Sequence, residues 1–124
     1  MADVETFEKV VQEVLATMPK RFSSRIENLH IIIEDVPSET TLRRAGVRRG
    51  GLLLGLYEGV PLSRRGVDYG MAPVLPDRIT LFKANIETIS GSDEELRANI
   101  RDTLIHELGH YYGMTEKQIR DAGY

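Results

Sequence analysis

Apolar positions follow two different rhythms along this chain, and the changes between them divide it into elements. Val4, Phe7, Val10, Val11, Val14 and Leu15 recur at three- and four-residue intervals, which gathers them on one face of a helix with about 3.6 residues per turn. Asp3 stands before this pattern with a side chain suited to an N-cap and Pro19 follows it, so a helix over about residues 4–17 is predicted. "LHIIIEDVP" then places three isoleucines together between turn residues, an apolar run short enough to suit a buried strand better than a helix. "LLLGLYEGVPL" predicts a second strand, with Gly55 and Gly59 leaving room for a bulge or a close backbone approach. "DRITLFKANIE" predicts a third, with Ile79, Leu81 and Lys83 on one side and Thr80 and Phe82 on the other. The stretches between these strands read as loops.

The helical rhythm returns at "SDEEL". Ser92 with Glu95 three residues on matches a capping box, and Asp93, Glu94 and Glu95 put negative charge at the positive end of the helix dipole. Periodicity continues to about Tyr112, where Gly113 supplies a residue able to take positive φ. Thr115 and Gln118 form a second capping box, so a short terminal helix is expected from Glu116. Helices at both ends around a few short strands make an α/β (α+β) chain with a small sheet, and 124 residues is the size of one domain, 1–124.

Composition narrows the function. The chain is 41% apolar and 28% charged, ordinary for a globular protein. It has no cysteine, which excludes disulfides and thiolate chemistry and leaves His, Asp and Glu as metal ligands. Its net charge of −3 argues against general nucleic-acid affinity. Six arginines between Arg43 and Arg65 have only Tyr57 as an interleaved aromatic, and are expected to be a solvated surface. The glycines of "GVRRGGLLLG" precede a strand, whereas a phosphate cradle must follow one and open a helix. The N-terminal stretch lacks the basic start and apolar run of a secretory signal, and no window approaches the roughly 20 apolar residues of a membrane span. A cytoplasmic chain without membrane contact is the expectation.

The chemistry is concentrated in "LIHELGHYYGMTE", Leu104 to Glu116. At about 100° per residue, Leu96, Ile100, Leu104, Ile105, Leu108, Tyr111 and Tyr112 share one arc of the helix, while Asn99, Asp102, Thr103, His106 and His110 share the opposite one. His106 and His110 are about 40° and one turn apart, so both imidazoles can reach a single ion. Glu107 lies about 60° further round, beside that ion rather than on it, where a general base for hydrolysis belongs. A catalytic zinc takes three protein ligands and keeps one position open. Gly113 lets the chain double back, and Glu116 is the nearest oxygen donor such a turn delivers; Asp121, about 140° further round a short helix, is the reserve, and water is the remaining alternative. Chance is a poor explanation, since shuffling this composition produces the two histidines, the adjacent glutamate, the glycine and the later acid in only about one chain in ten thousand. His30 stands alone at the start of a strand and reads as a surface or hydrogen-bonded residue, and Tyr111 and Tyr112 as packing residues.

"HELGHYYGMTE" resembles the extended zincin signature of metzincin-type metallopeptidases. The whole chain resembles the minimal zincin family of small bacterial zincin-like proteins, following its order through "FEKVVQEVLATMPKRF", "IENLHIIIEDVP", "LLGLYEGVPLSRRG", "LPDRITLFKANIE" and "LRANIRDTLIHELGHYYGMTEKQIRDAGY". Only the arginine-rich insert from Arg43 to Gly50 departs from that order. The resemblance implies a zincin core with an N-terminal helix, a small mixed sheet, an active-site helix and a short C-terminal helix. It implies zinc held by His106, His110 and the acid at position 116, with Glu107 as general base and proton shuttle. It further implies a peptide or protein substrate paired along an edge strand, a role that falls to Arg78–Ala84. Position 116 is Glu where the family more often has Asp and metzincins a third His, and no methionine turn follows it. Peptide hydrolysis is thus the expected activity; a metal-containing domain that binds a peptide or protein with little turnover is the alternative.

Overall fold

The computed structural model describes residues 3–20, 29–47, 51–59 and 77–123. In chain order these form helix α1 (Val4–Thr17), strand β1 (Leu29–Glu34), helix α2 (Glu39–Arg44), strands β2 (Gly55–Glu58) and β3 (Asp77–Phe82), and helices α3 (Lys83–Thr88), α4 (Asp93–Tyr111) and α5 (Glu116–Asp121). The strands make one sheet in the order β1-β3-β2, with β1 parallel and β2 antiparallel to β3. This is the expected α+β architecture with a small mixed sheet. No helix among the described residues is long and apolar enough to cross a membrane.

The helix starts follow the local chemistry of the chain. Asp3 accepts the Thr6 N–H at 2.7 Å and caps α1. Ser92 accepts the Glu95 N–H at 3.1 Å, but the returning carboxylate of Glu95 takes the Gly91 N–H, one residue earlier than a standard capping box. Thr115 and Gln118 make both arms of theirs, at 3.1 and 2.8 Å.

Two short helices replace expected irregular or extended chain. Ser38 accepts the Thr41 N–H and starts α2 within what reads as a loop. The third strand stops at Phe82, and Lys83 opens α3 instead of continuing a strand face. Its ammonium lies 2.9 Å from Glu87 Oε1, an i,i+4 pairing that only a helix offers, and Ile86 is driven fully into the core. Six residues are too few for a helical rhythm to show in the sequence.

The strand expected to receive a substrate is also reassigned. β3, which carries Arg78 to Phe82, is the middle strand, with β1 on one side and β2 on the other, so it has no free edge to offer another chain. Its residues Ile79 to Phe82 are all buried, the mark of a strand covered on both faces. Among the described residues the edges of the sheet belong to β1 and β2.

Phe7, Val11 and Val14 of α1, Ile79 and Leu81 of β3, and Leu96, Ile100, Leu104, Ile105, Leu108 and Tyr111 of α4 share one apolar core. Thr103, placed by helix phase on the polar arc, is buried instead. Its hydroxyl donates to the Asn99 carbonyl at 2.7 Å and so needs no water. Its methyl meets Gly55: a Cβ at Gly55 would stand 2.7 Å from Thr103 Cγ2 and 3.3 Å from the Thr80 carbonyl oxygen. The missing side chain is what lets β2 lie directly on α4. Gly55→Ala is expected to destabilise the fold by about 1–3 kcal/mol in chemical denaturation. Adding Thr103→Ser, which removes the colliding methyl, should recover part of that loss; no recovery would place the strain elsewhere.

Candidate metal centre

α4 carries His106, Glu107 and His110, and its end brings in the next acid. Gly113 takes φ of 86° and donates to the His110 carbonyl, while Met114 donates to the Gly109 carbonyl, both at 2.9 Å. This is the Schellman pattern, which reverses the chain within three residues. Thr115 then restarts it as α5, so Glu116 occupies the first turn. Ile119 of α5 is buried over Gly109, where a Cβ would approach Ile119 Cγ1 and Cδ1 to 2.7 Å. The absence of a side chain at Gly109 therefore sets how closely α5 can seat on α4.

This turn aims the Glu116 carboxylate back at both histidines. Its Oε1 lies 2.7 Å from His106 Nε2 and 3.0 Å from His110 Nε2. One atom from each of the three residues lies within 4.8 Å of the others; donors arranged tetrahedrally at zinc distances stand about 3.3 Å apart. The hydrogen bonding of His110 suits a metal ligand. Its Nδ1 faces the Met114 carbonyl at 3.2 Å, an acceptor only, so Nδ1 carries the hydrogen. Nε2 is then the ring nitrogen left to face the Glu116 carboxylate, 3.0 Å away, and to ligate. A ring nitrogen fixed by a backbone carbonyl, with the other left free to ligate, is the usual arrangement of a metal-bound histidine.

Glu107 is separate from this trio. It is 9% exposed, and its Oε1 accepts the main-chain N–H of Tyr57 from β2 at 3.0 Å. Burial pushes its pKa above the ordinary carboxylate value, against the pull of His110, His106 and the Tyr57 N–H. Glu116 shifts the opposite way. Burial raises it, but the hydrogen bonds and charges of His106 and His110 together outweigh burial and hold it below the ordinary value. Two carboxylates that feel the same pair of histidines are thus driven apart, one toward keeping a proton and one toward losing it.

His106, His110, Glu107 and Glu116 all line one cleft with Gly55, Leu56 and Tyr57 of β2. Asp121 does not join them; it pairs with Lys117 at 3.1 Å on α5. His30 is exposed on β1 and belongs to no metal-ligand group among the described residues. Tyr111 is fully buried and meets the rings of Tyr57 and Tyr112. The Tyr57 hydroxyl is 3.2 Å from Asp77 Oδ2. What sequence reasoning missed is the Tyr57 amide: a backbone donor fifty residues away in the chain leaves no residue-type signal. Of the six arginines, Arg43 and Arg44 are exposed on α2, with Arg44 3.5 Å from Glu58, and the other four lie outside the described residues.

A conserved hypothetical protein from Thermo thermophilus has a similar fold, with a TM-score of 0.57 and 22% identity over 90% of this chain and 94% of that one. No curated protein matches the chain. The family model described as zincin-like metallopeptidase matches residues 26–124, most of the chain and all of the candidate centre. The chain belongs to the zincin-like metallopeptidase family.

Proposed function

We propose that this chain is a zinc-dependent metallopeptidase that hydrolyses peptide bonds, with His106, His110 and Glu116 holding the ion and Glu107 acting as general base. The observation that carries this reading is a buried carboxylate, held by a strand amide, standing beside and apart from three convergent donor atoms. Two imidazole nitrogens and one carboxylate oxygen form a donor set suited to zinc. The chemistry a bound zinc ion supplies is Lewis acidity toward the attacking water and the scissile carbonyl.

The chain's own residues supply the rest. Glu107 takes a proton from water as the water oxygen bonds to the peptide carbon, then delivers it to the departing nitrogen as the C–N bond breaks. A carboxylate shifted toward neutrality serves both halves of that exchange, since it must release what it accepts. The Tyr57 N–H fixes one of its oxygens and leaves the other for the proton. An extended substrate is proposed to lie along β2, the edge strand that lines the cleft, rather than along β3.

Glu107→Gln keeps the three ligands and removes the base. It should retain stoichiometric zinc while peptide cleavage falls about 10²- to 10⁴-fold. Equal cleavage by variant and wild type would overturn the role of Glu107. Equal inactivity of both, with zinc and peptide still bound, would favour a binding domain.

Zinc titration tests the third ligand. Glu116→Ala should weaken zinc by about 100-fold or more, and Gly109→Ala, which pushes α5 off α4, by about 10-fold. Because alanine is the better helix former by about 1 kcal/mol, Gly109→Ala should do so without loss of helix by circular dichroism.

The raised pKa of Glu107 also fixes the sign of a stability effect in metal-free protein. The folded state holds this proton more tightly than the unfolded one, so stability falls as pH rises from the ordinary carboxylate value through the raised folded one. Thermal melts with chelator present should therefore show Glu107→Gln more stable than wild type at about pH 7, with the advantage vanishing near about pH 4. A constant advantage at all pH values would refute this assignment.

A further inference from the structure

The cleft is not symmetric about the metal centre. β2 and α4 run in the same direction across it, since Gly55 abuts Thr103, the Tyr57 N–H reaches Glu107, and the Tyr57 ring meets Tyr111. At the far end Glu116 closes over His110. In the other direction the cleft runs back along α4 to Asp102, and Ala45, Leu53 and Leu54 are also among the residues that line it. Asp102 lies one turn, about 6 Å, before His106 on the same face. Its carboxylate is exposed and has no hydrogen bond or ion pair among the described residues. By contrast Glu58, at the end of β2, lies 2.9 Å from Arg78 and 3.5 Å from Arg44.

A carboxylate without a partner among the described residues, in a cleft that leucines also line, defines a particular complement. A long cationic side chain can lay its methylenes on apolar surface and present its head group to the acid. An apolar side chain of equal length would strip water from the carboxylate without replacing it, and an acidic one would be repelled. A chain pairing antiparallel to β2 runs from the Tyr57 end toward the Leu53 end, so the part of it that follows the scissile bond runs toward Asp102. We propose that this end of the cleft recognises a lysine or arginine immediately C-terminal to the scissile bond, with Asp102 as the specificity-determining residue. This rests on the metallopeptidase reading above.

The test uses zinc-loaded Glu107→Gln protein and fluorescent hexapeptides that differ at one position only: lysine, arginine, norleucine or glutamate. Binding is read by anisotropy, with and without added Asp102→Asn, and wild type is assayed in parallel for cleavage of the same peptides. The basic peptides should bind about fivefold more tightly than norleucine, the upper range for a solvent-accessible ion pair, and Asp102→Asn should erase that difference. Equal affinity for all four, or a basic preference that survives Asp102→Asn, overturns the assignment. Glu107-dependent cleavage by wild type without any basic preference also overturns it and leaves the peptidase reading standing. Asp102-dependent binding of basic peptides without cleavage supports the recognition site and refutes hydrolysis. Absence of both binding and cleavage refutes both.

Discussion

The packing of α4 is the constraint on which this structure depends. One stripe of the helix, Leu96, Ile100, Leu104, Leu108 and Tyr111, is buried against α1 and the sheet. That burial fixes the rotation of the helix about its own axis. Once the rotation is set, His106 and His110 must face the cleft and Glu107 must fall at the margin between core and cleft. The same hydrophobic energy that holds the fold thereby orients the reactive groups, without a separate scaffold for them. Thr103 and Gly55 complete the arrangement, because their close contact brings β2 near enough for a strand amide to grip Glu107.

A second feature is how few residues separate the end of α4 from Glu116. A Schellman turn followed at once by a capping box leaves little backbone freedom between the histidines and the third donor. A longer connection would have to be ordered when the ion binds, at a cost of about 1–2 kcal/mol for each residue fixed. Here the backbone is ordered by its own hydrogen bonds, and the packing of Ile119 on Gly109 anchors the far side of α5.

The two acids of the site show what function asks of stability. Glu116 sits where histidines favour its charge, whereas Glu107 sits where burial opposes it. A carboxylate held in that second condition weakens the fold at neutral pH, and it is the one whose readiness to hold a proton the proposed reaction uses.

Much of this was legible in the residues themselves. Helices α1, α4 and α5, with their caps and the turn at Gly113, follow from periodicity and capping chemistry within a few residues of each other in the chain. So does the face shared by His106 and His110, because one helical turn relates them. The order of the strands was not legible. Arg78–Ala84 reads as the substrate-pairing edge because a strand's own residues carry no label for its neighbours; only the assembled sheet puts β3 in the middle and, among the described residues, β2 at the edge. The short helices α2 and α3 are hidden for want of length, and Lys83 reads as part of a strand because six residues, fewer than two helical turns, show no period. Burial of Glu107 and Thr103, and the Tyr57 amide that holds the first of them, were decided by tertiary structure alone. They depend on a strand fifty residues away meeting a helix at a glycine, and such a contact exists only once the chain has folded.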